Sequence, residues 1–177
     1  MTKEEVRAVI MAKANLGEAD RVLDIGAGTG SLSIQAAKLV PKGHVYAIEC
    51  NPEAISLIKI NKKKFYTENI SIIEGMAPEA MEGLPKVNVV FIGGSKGKMQ
   101  EIVEACERIL EVDGRIIITC VTLNTLHESI TALSEKKFNL DITQLSVTKY
   151  NAINSHLMAK AHNPIFVILG EKEETNE

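Results

Sequence analysis

Three glycines at every second position close the run Val22-Leu23-Asp24-Ile25-Gly26-Ala27-Gly28-Thr29-Gly30, and nothing else in the chain constrains its fold as much. An apolar run that ends in a carboxylate and turns on glycines is a strand entering a tight loop. Glycine adopts left-handed backbone angles without steric cost and admits a ligand close to the backbone. A second carboxylate, Glu49, ends the next apolar run, His44-Val45-Tyr46-Ala47-Ile48. An acid about 20 residues beyond a glycine-rich turn is placed to accept hydrogen bonds from ribose hydroxyls. Together these features predict a nucleoside site at the carboxyl edge of a parallel sheet.

The spacing narrows the ligand. Dinucleotide sites use G-x-G-x-x-G, with a helix amino end on the pyrophosphate. Here the spacing is G-x-G-x-G, with Asp24 two residues before the first glycine. A carboxylate there repels a pyrophosphate and suits a ligand that carries positive charge. S-adenosylmethionine, with an ammonium, a sulfonium and no phosphate, meets that requirement. The alternatives are a purely structural glycine turn and a nicotinamide site.

At 177 residues the chain is expected to form one domain over residues 1–170, with a disordered polar tail at 171–177. Aromatic residues are only 4% and Trp is absent, so the core must come from Ile, Val, Leu and Ala. A net charge of −3 argues against a protein that coats nucleic acid. Cys50, Cys106 and Cys120 form no C-x-x-C pair, which points to reduced thiols in a cytoplasmic protein and to no structural zinc. No signal-type segment opens the chain, and no apolar run reaches the roughly 20 residues that cross a bilayer.

Along the chain, Thr2 and Glu5 read as a T-x-x-E capping box for an opening helix. Strands are expected at 21–25, 44–49, 70–74, 87–92 and 115–119. Helices are expected at 31–39, from Asn51-Pro52-Glu53 to about Phe65, at 98–110 and at 125–136. Ile142, Leu145 and Val147, then 165–169, read as a closing pair of strands. The segment from Asn151 to Asn163 reads as a loop able to cover a substrate. This alternation predicts an α/β fold, a doubly wound and mostly parallel sheet with an antiparallel edge strand. Ligands of such sheets bind beyond the carboxyl ends of the strands. Asp24, Glu49, Glu74-Gly75-Met76 and Gly93-Gly94-Ser95 should therefore share one rim.

The order of these pieces resembles the class I methyltransferases. More narrowly, it resembles the decarboxylating cobalt-precorrin-6B C15-methyltransferases of cobalamin synthesis. The narrower likeness rests on Thr2-Lys3-Glu4-Glu5-Val6-Arg7, the Asp24 to Gly30 loop and Tyr46-Ala47-Ile48-Glu49-x-Asn51-Pro52-Glu53-Ala54. To these add Gly75-x-Ala77-Pro78-Glu79, Phe91-Ile92-Gly93-Gly94-Ser95-x-Gly97, Gly114-Arg115-Ile116, Val121-Thr122-Leu123 and Asn163-Pro164. It spans nearly the whole chain. The resemblance implies methylation of a corrin precursor at carbon-15, coupled to loss of the carbon-12 acetate carboxyl as CO2, and a homotetramer. Some relatives fuse this domain to a carbon-5 methyltransferase, for which this chain has no room, so it resembles the stand-alone form of the cobalt-early, anaerobic route. Relatives commonly carry Asp where Met76 stands. An Asp can accept from the adenine amino group, whereas Met76 can do so only through its backbone.

The expected cofactor site is thus Thr2, Asp24, Gly26, Ala27, Gly28, Thr29, Gly30, Glu49, Met76 and Ala77. Asp24 would face the cofactor ammonium, against a plainer role in capping the following helix. Glu49 would accept from the ribose, against a solvated strand-end acid. Gly93, Gly94, Ser95 and Gly97 would flank a flat tetrapyrrole, whose carboxylates need cations such as Lys3, Arg7, Lys96, Lys149 and Lys160. No catalytic residue is assigned, although His156 and His162 flank the 151–163 loop and either could handle a proton. Four histidines without ligand spacing make no metal site. Lys59, Lys62, Lys63 and Lys64 resemble a nucleic-acid patch, but cations at a helix carboxyl end more simply complement its dipole. Two rivals remain. One is an RNA or other small-molecule methyltransferase on the same fold; base-methylating enzymes often place an acid or Asn, two prolines and an aromatic where this chain has Ile92-Gly93-Gly94-Ser95. The other is a non-catalytic cofactor-binding subunit.

Overall fold

The computed structural model describes residues 3–154 and 156–172. Helix α1 covers Glu4–Ala14, β1 Arg21–Ile25, α2 Ser31–Leu39, β2 His44–Glu49, α3 Pro52–Lys64 and β3 Ile70–Glu74. A single 3-10 turn at Glu79–Met81 leads to β4 at Val87–Ile92, α4 at Met99–Ile109, β5 at Leu110–Cys120 and α5 at Leu123–Glu135. The chain ends with β6 at Phe138–Leu145, β7 at Thr148–Ile153, β8 at His156–Ala161 and β9 at Ile165–Lys172.

Local chemistry sets several boundaries. Asn51 caps α3, its Oδ1 accepting from the N–H groups of Glu53 at 2.9 Å and Ala54 at 3.2 Å, with Pro52 in the first turn. Thr122 does the same for α5 through the Thr125 N–H at 3.1 Å, so that helix starts two residues earlier than the sequence predicts. The capping box predicted at the amino terminus rests on Thr2, outside the described residues. Lys3 occupies the cap position, and Glu5 points its carboxylate at Lys149, 2.5 Å away. Thr2 lies outside the described residues, as do residues 173–177 of the expected tail; Glu171 and Lys172 belong to β9.

The main sheet runs in the order β3-β2-β1-β4-β5-β9-β6. The pairs from β3 through β5 are parallel, and β9 is antiparallel to both β5 and β6. The closing pair therefore forms the antiparallel edge expected, with β9 inserted next to β5 and β6 outermost. Leu110 pairs with Val87 and Arg115 with Val89, so Glu111 to Gly114 bulge out at the place where the sequence predicts a turn.

Successive strand residues point to opposite faces, and both faces are covered. Leu23, Ile25, Val90, Ile92, Ile116 and Ile118 pack with α4 and α5 residues such as Ile102, Val103 and Leu133. Val22, Val45, Ala47, Val89, Phe91 and Ile117 pack with Val6 and Ile10 of α1 and Leu32 and Ala36 of α2. Each fully buried Ile or Leu contributes about 2 kcal/mol of transfer free energy. This two-sided burial holds the strand ends at one rim. The hairpin β7–β8 is a separate two-stranded sheet, and every described side chain in it is exposed. It replaces the loop expected at 151–163.

Candidate functional site

Four strand ends converge as expected. Gly26, Gly28 and Gly30 take φ values of +72°, +57° and +74°, the left-handed angles the loop requires. Their tasks differ. A Cβ on Gly26 would meet the Gly94 backbone nitrogen at 3.3 Å, so this glycine lets the β1–α2 loop lie against the β4–α4 loop. A Cβ on Gly30 would meet Ile58 of α3 at 3.1 Å, which makes Gly30 a packing residue. A Cβ on Gly28 meets nothing within 4 Å.

Glu49 organises the site. Its Oε2 accepts from the Gly28 N–H at 2.8 Å, and its Oε1 accepts from Cys50 at 2.8 Å and Asn51 at 2.9 Å. Burial opposes its ionisation, but the Asn51, Gly28 and Cys50 N–H groups outweigh burial and hold the carboxyl below its ordinary range. Glu49 is thus no solvated strand-end acid. It fixes the glycine loop to the start of α3, and Oε2 keeps one acceptor position for a further donor.

Asp24 is placed differently from the expectation of a cofactor contact. It is 1% exposed and lines neither of the two cavities described below. The Ser33 hydroxyl donates to its Oδ2, so it serves the first turn of α2, the plainer of the two roles. Burial pushes its carboxyl up to about 6, against the opposing Ser33 hydrogen bonds. Strand alternation explains the direction: Asp24 shares the face of Val22, whereas Leu23 and Ile25 share the other.

Two cavities open at this rim. The smaller, about 110 Å³, brings together Gly26, Ile48, Glu49, Cys50, Met76 and Ala77. The larger, about 540 Å³, lies between Gly93 to Gly97, the end of β5 and the start of α5. Gly94, Ser95 and Lys96 line both, so this short loop is their common wall. Of the other predicted residues, Ala27 and Thr29 shape the loop: the Ala27 N–H donates to the Ile48 carbonyl at 3.1 Å, and the Thr29 carbonyl accepts from Asn61 at 2.9 Å. The A-P-E string finds its partner here as well, since Glu79 pairs with Lys98 at 2.6 Å and so ties the β3 loop to the start of α4. Lys96 closes over the smaller cavity, its Nζ donating to Cys50 Sγ at 3.0 Å.

Sequence reasoning missed Thr119, Val121, Thr122, Thr125 and Glu128 in the larger cavity. The rule that found Gly93 to Ser95 at the end of β4 applies equally to the end of β5, its sheet neighbour. The lysine-rich face of α3 is spent within the chain. Lys59 pairs with Glu74 at 3.2 Å, Lys62 donates to the Ile70 carbonyl at 2.9 Å, and Lys64 lies over the Phe65 ring. Among the described residues no helix is long and apolar enough to cross a membrane.

Comparison with known proteins agrees with this geometry. A family model described as a precorrin methyltransferase domain matches residues 1–172. The chain is 37% identical over 177 residues to the cobalt-precorrin-6B C(15)-methyltransferase (decarboxylating) of Salmonella typhimurium, covering 99% of this chain and 91% of that one. A probable enzyme of the same description from Saccharolobus solfataricus is 39% identical over 176 residues, 97% of this chain and 88% of that one. The crystal structure of precorrin-6y C5,15-methyltransferase from Geobacter metallireducens superposes with a TM-score of 0.94 at 38% identity, covering 97% and 91% of the two chains. A tRNA (m1A58) methyltransferase from Aquifex aeolicus, at 18% identity and a TM-score of 0.79 over 99% of this chain and 71% of that one, shares the fold alone. By the family match over residues 1–172 and by these relatives, this chain belongs to the precorrin methyltransferase family.

Proposed function

We propose that the chain is an S-adenosylmethionine-dependent C-methyltransferase that methylates cobalt-precorrin-6B at carbon-15 and releases the carbon-12 acetate carboxyl as CO2. The observation that carries this reading is the common wall. One cavity suited to a nucleoside and a second, larger one meet at Gly94, Ser95 and Lys96.

The smaller cavity carries groups that suit part of the methyl donor. Glu49 keeps an acceptor for a ribose hydroxyl, Ile48, Met76 and Ala77 offer apolar surface to a flat base, and Gly28 leaves its side open. When bound there, the sulfonium supplies an activated methyl group. The chain's residues then have two tasks, to hold the acceptor carbon in line and to keep water away. Gly94 is open to solvent where a Cβ would project, so a broad ring can lie against its backbone. Asp24 acts on the donor through the loop it anchors. Electrons left by the departing carboxyl spread into the conjugated ring, so the protein needs only to orient the acetate and return one proton.

The hairpin β7–β8 supports the expected homotetramer. Tyr150 and Leu157 share one of its faces, both are largely exposed, and an isolated two-stranded hairpin is marginal in water. The second copy is the occupant we assign to that face, because its apolar pairs repeat along a strand with unpaired edges. Sedimentation of the wild type should show a tetramer, and Leu157→Asp should shift it to smaller species. The free thiols Cys50, Cys106 and Cys120 suit a reducing cytoplasm.

Mass spectrometry of the products tests the activity. Incubation with cobalt-precorrin-6B should give a product that has gained a methyl and lost CO2. Methylated tRNA with no change in any tetrapyrrole would favour the RNA rival. Donor binding with no product of either kind would favour a non-catalytic subunit.

A further inference from the structure

The first turn of α1 meets the base of the β7–β8 hairpin in a dense group of charges. Lys3 Nζ contacts His162 Nδ1, and Lys149 Nζ pairs with Glu5 Oε1 at 2.5 Å. Lys149 and Lys160 stand directly opposite each other in the hairpin register. Like charges directly opposite one another cost stability in an antiparallel pair. Both lysines are exposed, and the Lys149–Glu5 pair offsets part of that cost. The second oxygen of Glu5 is buried and has no hydrogen-bond partner among the described residues. In sequence the cluster lies next to residues that line the larger cavity. Glu5 precedes Val6, and His162 comes three residues before Ile165; both Val6 and Ile165 line that cavity.

We propose that Lys3, Lys149, Lys160 and His162 form a subsite that receives a carboxylate side chain of the acceptor at the mouth of the larger cavity. The inference rests on the reading of the acceptor as a polycarboxylate ring. An entering carboxylate relieves the Lys149–Lys160 repulsion and gives Lys3 a partner other than a neutral imidazole. It also changes His162. Desolvation, then Lys3, Lys160 and Lys149, hold the imidazole below its usual range, opposed by Glu5. The groups facing this site are Lys3, Glu4 and Glu5 on α1, Lys149 on β7 and Lys160 on β8. A bound anion favours the charged imidazole. Anion binding should therefore take up a proton at His162 and tighten as pH falls.

The test uses uroporphyrin, a flat ring with eight carboxylates, as a binding probe and cobalt-precorrin-6B as a substrate. Lys160→Gln and Lys3→Gln should each weaken uroporphyrin and raise KM by ~5- to 10-fold, with kcat and donor affinity within about two-fold. His162→Gln should flatten the dependence of uroporphyrin affinity on pH between about 6 and 8. Lys59→Gln, on the far α3 face, controls for net charge. If the wild type turns over cobalt-precorrin-6B while these variants keep wild-type KM and uroporphyrin affinity, the subsite is refuted and the proposed activity stands. If uroporphyrin binding depends on these residues but no precorrin is converted, the subsite stands and the proposed activity falls. Loss of uroporphyrin affinity in Lys59→Gln equal to that in Lys160→Gln would reduce the effect to overall charge and overturn the subsite.

Discussion

The two ends of the rim are built by opposite means. At the β1–β2 end one carboxylate, Glu49, takes three backbone N–H groups and fixes a glycine loop held at left-handed angles. At the α1–hairpin end the surface is charged side chains: paired lysines, a histidine under several cations and a glutamate with one buried, unpartnered oxygen. The first arrangement is satisfied before any ligand arrives, and the second is not. A site that always receives the same small molecule can be fixed by backbone. A site for a large polyanion must hold repulsive charge until the anion enters.

The largest expected effect of breaking this contrast lies at Glu49. Glu49→Gln places an amide N–H2 where a backbone N–H now donates, so donor affinity should fall at least ten-fold. The unliganded protein should lose ~3 kcal/mol, read as a lower midpoint in urea. The bare sequence motif gives no reason for that loss of stability, because a lone strand-end acid would leave the melting temperature almost unmoved. The carboxyl is depressed in the folded state, so its contribution is present above its unfolded value near 4.5 and disappears as pH falls through the folded one. Glu49→Gln should remove that acid-side loss.

Asp24 should show the reverse sign. Its folded value, about 6, lies above the ordinary 3.8, so the associated stability is complete below about 3.8 and is lost as pH rises through about 6. Asp24→Asn retains an acceptor for the Ser33 hydroxyl and does not ionise. Relative to wild type it should gain up to ~2–3 kcal/mol between pH 4 and 7, measured by urea unfolding. A constant difference across that range would mean that folding does not raise the Asp24 carboxyl above its ordinary value.

Met76→Asp is the smallest test. Met76 lines the smaller cavity and is 39% exposed, so an acid there costs little in the free protein. Donor binding should be unchanged or up to ~3-fold tighter by calorimetry. Markedly weaker binding would place the base elsewhere.

The same contrast explains what the sequence made legible. Strands 21–25, 44–49, 70–74 and 87–92, the Asn51-Pro52 helix start and the two expected ligand loops are local signals, each carried by a few adjacent residues, and the structure places them as expected. The direction of the Asp24 side chain was not legible, because a buried acid at a strand end looks alike on either face until the packing against α2 is known. The hairpin was hidden for another reason. Tyr150 and Ala152 alternate with Lys149 and Asn151, but Ile153 and Met158 break the alternation, no Gly stands between the two strands, and both faces are exposed. At the amino terminus Glu5 meets a cation 144 residues away, a contact that no local pattern announces.

Gly94→Val was the obvious probe of the acceptor side, yet Gly94 lines both cavities and its substitution cannot separate them. Val121 lines only the larger one and is itself exposed, so a bulkier residue there adds volume without disturbing the core. The decisive measurement is a donor titration of Val121→Trp followed by its turnover of cobalt-precorrin-6B. Donor affinity should stay within about two-fold of wild type while turnover falls ~100-fold, because the ring can no longer reach the common wall. Normal turnover, or an equal loss of donor binding, would contradict the assignment of two separate cavities joined at Gly94 to Lys96.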